Sequence, residues 1–151
     1  MKGNRFEVAE NVAKRIAELE ERKRLGYRGR WLRLRIADVC DELSIFDWWN
    51  EELSLSQLKQ MQKFLKVAEQ LGFNGYVCFK VGAAGCSHGM WAHREESKDG
   101  YSPDGVTLHH SFRSGDNYWD CKTEDGKWLS DKDENGRWQF TLAEVKAALN
   151  A

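Results

Sequence analysis

Val106-Thr107-Leu108-His109-His110-Ser111-Phe112-Arg113-Ser114-Gly115-Asp116-Asn117-Tyr118-Trp119-Asp120-Cys121-Lys122 is the stretch that decides how this chain is read. Val106, Leu108, His110 and Phe112 alternate with Thr107, His109 and Ser111. That is the period of two that sends successive side chains to opposite faces of a strand. Residues 113–117 are turn formers, and β-forming residues resume at 118–122, so the stretch predicts an antiparallel hairpin. Upstream, residues 76–81 are rich in β-formers, Gly82-Ala83-Ala84-Gly85 is a turn, and 86–93 follow as a further strand. Downstream, Trp128-Leu129 and Trp138-Gln139-Phe140 predict a last hairpin around an acidic loop. The longest polar loop falls at 95–104.

The chain before Phe73 has a different texture. Phe6, Ala9, Ala13 and Ile16 recur at helical spacing, with Val8, Val12 and Leu19 widening the stripe. Glu10–Lys14, Glu18–Arg22 and Glu20–Arg24 place acid four residues before base, the favourable orientation on a helix. Gly26 is a natural stop. A second helix is predicted from about Ser56 to Leu71 through Leu58, Met61, Phe64, Leu65, Ala68 and Leu71, with Gly72 at its C-terminal cap. Between the two helices, residues 32–36 favour a short strand and 36–49 a helical turn. Thr141-Leu142-Ala143-Glu144 is a capping box that opens a terminal helix. The expectation is an α+β fold, with N-terminal helices and a C-terminal helix packed on an antiparallel sheet of about four to six strands. A single domain over 1–151 is expected, mainly helical at 1–72, mainly β at 73–140 and closed by a helix at 141–151.

Composition narrows the function classes. At 151 residues with 41% hydrophobic content and seven tryptophans, an ordinary core needs no staples. The amino terminus lacks the apolar run of a secretory signal, and no apolar stretch approaches the ~20 residues that span a bilayer. A cytoplasmic protein with reduced thiols and no membrane association is expected. The net charge of −1 argues against a globally basic nucleic-acid binder. Its distribution is uneven: residues 22–35 hold seven Lys/Arg and no acid, whereas 94–136 hold eleven acids and six bases.

Seven of the eight Cys and His residues lie between Cys78 and Cys121. As a zinc site, Cys86, His88 and His93 offer permissible gaps, with Cys78 as a fourth ligand. A turn centred on Ala83-Ala84 faces Phe79 with His88. It puts Cys86 and His88 on one face of the hairpin and Cys78 and His93 on the other. No metal or other cofactor is therefore expected. As a catalytic site, a loop at 113–117 opposes His109 with Cys121 and His110 with Asp120. Cys beside His is the pairing that activates a thiolate, and Asp beside His holds an imidazole tautomer. The two pairs point in opposite directions, so they form no triad. Asp131-Lys132-Asp133-Glu134-Asn135-Gly136 matches the start of a calcium loop, but position twelve is Leu142 instead of a bidentate Glu.

The basic stretch is the best candidate for a binding surface. Arginine outnumbers lysine six to one between Arg22 and Arg35, with Tyr27 and Trp31 interleaved. Arg28, Arg30, Trp31, Arg33 and Arg35 combine planar forks for carboxylate or phosphate with an aromatic anchor. The expected function is a small, non-enzymatic accessory protein that binds or inhibits a protein partner through this surface. A nucleic-acid-binding module on the same stretch is the first alternative, and a thiol- or zinc-dependent enzyme using the Cys/His window is the second.

Overall fold

The structure, a computed structural model, describes residues 2–35, 52–73, 76–81, 88–94, 105–113 and 116–150. In chain order its elements are β1 (Lys2–Asn4), α1 (Arg5–Arg24), a 3-10 turn (Gly29–Leu32), β2 (Arg33–Arg35) and β3 (Glu52–Ser54). They continue with α2 (Leu55–Gln70), β4 (Tyr76–Val81), β5 (His88–His93), β6 (Thr107–Arg113), β7 (Asp116–Lys122), α3 (Leu129–Lys132) and α4 (Leu142–Leu149). The fold is α+β. The described strands divide between a five-stranded sheet, ordered β1-β4-β5-β6-β7, and a separate two-stranded sheet of β2 and β3. Every pairing is antiparallel. The expected single sheet is thus met in its main part, with an N-terminal edge strand and a small second sheet added.

Both long helices close the same way. Gly26 (φ +93°) follows α1, with Gly26 N–H on the Lys23 carbonyl and Tyr27 N–H on the Arg22 carbonyl. Gly72 (φ +80°) follows α2, with Gly72 N–H on the Glu69 carbonyl and Phe73 N–H on the Ala68 carbonyl. This paired bonding satisfies carbonyls that a helix end leaves orphaned, and it needs a left-handed residue that glycine supplies without strain. At its start, α2 is capped by Ser54, whose hydroxyl accepts from Gln57 N–H while the Gln57 amide accepts from Ser54 N–H. The helix therefore begins one residue before the predicted Ser56.

The buried stripe of α1 is Val8, Val12, Ile16 and Leu19, all within the predicted stripe, whereas Ala9 is half-buried and Ala13 is exposed. Longer side chains won the inward positions because they remove more apolar area from water. They meet Leu58, Met61, Phe64, Leu65 and Ala68 of α2 and the sheet residues Val77, Met90, Ala92, Leu108, Trp119 and Cys121 in one core cluster. Val145 of α4 belongs to the same cluster. Its helix opens at the expected capping box, in which Thr141 and Glu144 exchange hydrogen bonds.

Two register predictions change. Phe79 faces Met90 instead of His88, a shift of two residues that keeps every side chain on its predicted face. The β6–β7 hairpin extends to Arg113 and Asp116, so its register slips by one residue from the prediction and pairs His109 with Asp120, His110 with Trp119, and Leu108 with Cys121. The last hairpin is also replaced. Trp128 bridges Lys122 and Phe140 bridges Trp119, so both aromatic segments seal the outer edge of β7 instead of pairing with each other. Residues 36–51 and 95–104, including Trp48 and Trp49, lie outside the described residues.

Candidate functional site

The one-residue slip in β6–β7 separates the predicted nucleophile from its base. His109 and Cys121 stand on opposite faces of the sheet, and His110 and Asp120 are likewise divided. The Cys121 thiol is buried in the core, where desolvation, with Asp120 nearby, pushes its pKa up to about 11. An activated cysteine requires the reverse shift.

The two adjacent histidines have parallel surroundings on opposite faces. His109 stacks on Trp91 at 4.3 Å between centroids, and its Nδ1–H donates to the Met90 carbonyl at 3.0 Å. His110 stacks on Trp119 at 4.2 Å, and its Nδ1–H donates to the Tyr118 carbonyl at 3.0 Å. A carbonyl only accepts, so Nδ1 carries the proton in both rings and Nε2 carries the lone pair. Burial lowers each pKa to about 4, so both rings are neutral at pH 7. Gly89 makes this packing feasible: a Cβ there would lie 2.7 Å from His109 Cε1.

The rest of the outer face is polar yet buried. His93 Nδ1 donates to Thr107 Oγ1 at 3.2 Å, and that hydroxyl donates to the Gly105 carbonyl at 3.3 Å. Asp120 accepts from Cys121 N–H at 2.8 Å and from Ser130 Oγ at 2.8 Å. Burial nevertheless raises its pKa above the usual carboxylate value. Of the proposed zinc ligands, Cys86 and the side chain of His88 lie outside the described residues, while His93 is engaged with Thr107. Among the described residues no group of three or more His, Cys, Asp or Glu side chains is arranged to hold a metal ion. The calcium-like segment begins as the end of α3 and continues into a turn in which the Asp133 carboxylate accepts from Asn135 N–H at 2.8 Å and Gly136 takes φ +72°.

The basic stretch emerges as a corner at the end of α1. Leu25, Tyr27 and Trp31 are 60%, 46% and 65% exposed, and among the described residues the remaining large exposed apolar side chain is Trp138 at 53%. Tyr27 and Trp31 lie 6.0 Å apart, flanked by the exposed Arg28, Arg30 and Arg33. Arg22 fixes the turn that presents Trp31, donating to the Trp31 carbonyl at 3.2 Å and pairing with Glu18 at 3.4 Å. Glu52 lies 3.5 Å from Arg30 and 3.8 Å from Arg33. The Arg35 side chain lies outside the described residues, although its backbone pairs with Glu52.

Sequence reading missed what adjoins this corner. A groove of about 520 Å³ between α1 and the first turns of α2 is lined by Lys23, Leu55, Ser56, Lys59, Gln60 and Lys63. Lys59, Gln60 and Lys63 fall on the polar side of an amphipathic helix, so their spacing alone reads as a solvated face. A second, smaller cavity of about 300 Å³ lies against Arg94, Thr123, Asp125 and Lys132. There Lys132 and Asp125 already pair at 2.6 Å. Compared with known proteins, the chain matches no family model, no curated protein and no solved structure.

Proposed function

We propose that this chain is a small, non-enzymatic cytosolic accessory protein that binds a protein partner through the corner formed by Leu25, Tyr27, Trp31 and the surrounding arginines. One observation carries the reading: three of the four exposed large apolar side chains among the described residues cluster within seven positions, beside Arg28, Arg30 and Arg33. Leaving a tryptophan in water forgoes the apolar burial that would stabilise the fold, and exposed aromatic–arginine clusters are the chemistry of interface anchors. Acidic side chains of a partner complement the surplus of positive charge. Glu18, Glu21 and Glu52 are interspersed among the arginines and engage Arg22, Arg24, Arg30 and Arg33. A continuous phosphate backbone would meet those carboxylates, which favours a protein over a nucleic acid. No described helix is long and apolar enough to cross a membrane.

Affinity capture from nuclease-treated lysate, run with the wild-type chain and Trp31→Ala side by side, tests the reading. The expected result is a protein bound by the wild type and lost, by about 30-fold in affinity, from the variant. Identical capture by both proteins, or capture abolished by nuclease, overturns it.

A further inference from the structure

We infer that the cavity beside the turn after β7 and the last residues of α4 binds a small zwitterion with an aliphatic side chain, the chemistry of a free α-amino acid. The site is separate from the Trp31 corner and adds a small-molecule ligand to a protein-binding chain. Its volume, about 300 Å³, is the low end of ligand pockets and suits one small molecule better than a peptide segment or a nucleotide. Among the described residues two cations and two carboxylates line it, Arg94 and Lys132 with Glu124 and Asp125. One pair is already engaged. Lys132 reaches Asp125 at 2.6 Å and the Thr123 hydroxyl at 2.5 Å, and that hydroxyl donates to Asp125 at 2.6 Å. The other pair is open. Arg94 and Glu124 stand 3.9 Å apart, and Glu124 is 88% exposed, so water screens their attraction.

Arg94 is held in place all the same. Its backbone N–H donates to the Val106 carbonyl at 3.2 Å, and its guanidinium lies over the buried Phe73 ring at 5.4 Å. A guanidinium is a rigid fork of donors matched to a carboxylate, and within the chain no side-chain hydrogen bond is made by this one. The neighbouring wall is aliphatic: Val106 is buried, and Ala148 and Leu149 are half-buried. A carboxylate alone would meet Arg94 but would also face Glu124 and Asp125, whose like charge opposes it. An α-amino acid carries its two charges one carbon apart. Its carboxylate takes the Arg94 fork, its ammonium takes Glu124, and the sum of charges in the cavity stays unchanged. The side chain then covers Val106, Ala148 and Leu149, removing apolar surface from water.

The test is isothermal titration of the full chain with L-leucine and with three probes that each lack one part of it. 4-Methylpentanoate lacks the ammonium, 3-methylbutylamine lacks the carboxylate, and glycine lacks the side chain. Leucine is expected to bind, and each truncated probe to bind about tenfold or more weakly. Arg94→Gln, its fold checked by circular dichroism, is expected to weaken leucine by about tenfold. Glu124→Gln changes a side chain that is almost wholly in solvent, so the fold is unaffected. It is expected to weaken leucine by about fivefold and to leave 4-methylpentanoate bound at least as tightly as by the wild type. Trp31→Ala should leave leucine affinity unchanged, which keeps this site distinguishable from the corner. No heat of binding with leucine at about 10 mM overturns the site. Equal affinity for leucine and 4-methylpentanoate, or for leucine in wild type and Glu124→Gln, overturns the zwitterion. Equal affinity for leucine and glycine overturns the aliphatic wall.

Discussion

Two regions of the molecule concentrate aromatic and ionisable side chains, and they treat them in opposite ways. On the outer face of the main sheet, Trp91, Thr107, His109, Ser111 and Asp120 lie mostly out of water, and the hydrogen-bonding groups described there are tied to carbonyls, amides and hydroxyls of the chain itself. At the corner, Tyr27 and Trp31 stand in solvent, and the arginines around them make ion pairs that are exposed or half-exposed. Internal satisfaction marks a polar group that holds the fold. Exposure of a large aromatic ring marks a group whose burial is left to another molecule. His93, His109 and His110, part of the Cys/His window conspicuous in the sequence, belong to the first kind.

Acid should separate the regions most sharply. His109 and His110 have pKa values of about 4 in the fold, against 6.5 unperturbed, so the unfolded chain takes up protons first as pH falls. Their neutral packing contributes fully above pH 6.5 and is lost as pH drops toward 4. By pH 4.5 the expected loss is about 5 kcal/mol for the two rings together. Asp120 has the opposite sign: its raised pKa makes protonation favourable to the fold as pH falls, which offsets a part of that loss. Urea denaturation at pH 7 and pH 4.5 measures the difference, and His110→Phe should remove about half of it. Equal stability at the two pH values would break the assignment of both histidines as buried, neutral and structural.

Gly89→Ala comes next. The added Cβ meets His109 Cε1 at 2.7 Å and the His110 carbonyl at 3.3 Å, so either the ring leaves its stack on Trp91 or the strand shifts. The expected cost is about 3 kcal/mol, near the upper end for overpacking. Loss of near-ultraviolet dichroism from the stacked tryptophan should accompany it. Ser130→Ala follows at about 2 kcal/mol, because it strips Asp120 Oδ2 of its hydroxyl donor inside the protein. That substitution removes an interaction that lowers the Asp120 pKa, so its cost should be larger at pH 8 than at pH 5. A cost independent of pH would show that Ser130 acts through packing alone.

The fold class and both helix stops were readable because they depend on local chemistry. Gly26 and Gly72 close their helices where predicted, and Thr141 with Glu144 forms the expected cap. Register was not local. The β6–β7 prediction set Arg113–Asn117 aside as loop, whereas pairing continues to Arg113 and Asp116, and that one residue reassigns every cross-strand partner. Thr107, His109 and Ser111, the polar side of the alternation in β6, are buried as well as its apolar side. The exposure of Trp31 was expected from its place among the arginines. Its presentation depends on the 3-10 turn that Arg22 holds. Lys59 and Lys63 were hidden because lysines on the outer side of a helix are ordinary, and the groove exists only once α1 lies beside them.

Trp31→Ala carries the smallest expected effect on stability and so sharpens the comparison furthest. With 65% of its surface already in water and its main contact an aromatic neighbour at 6.0 Å, its removal should change unfolding free energy by no more than about 0.5 kcal/mol. The same substitution should weaken the captured partner by about 30-fold. Trp138→Ala is the matched control, since that ring is also exposed but packs edge-on against Tyr118 at 5.3 Å. It should reduce stability more than Trp31→Ala and leave partner binding intact. If the two tryptophans behave alike in both measurements, exposure alone does not mark the interface, and the arginines around Trp31 make no distinction between them.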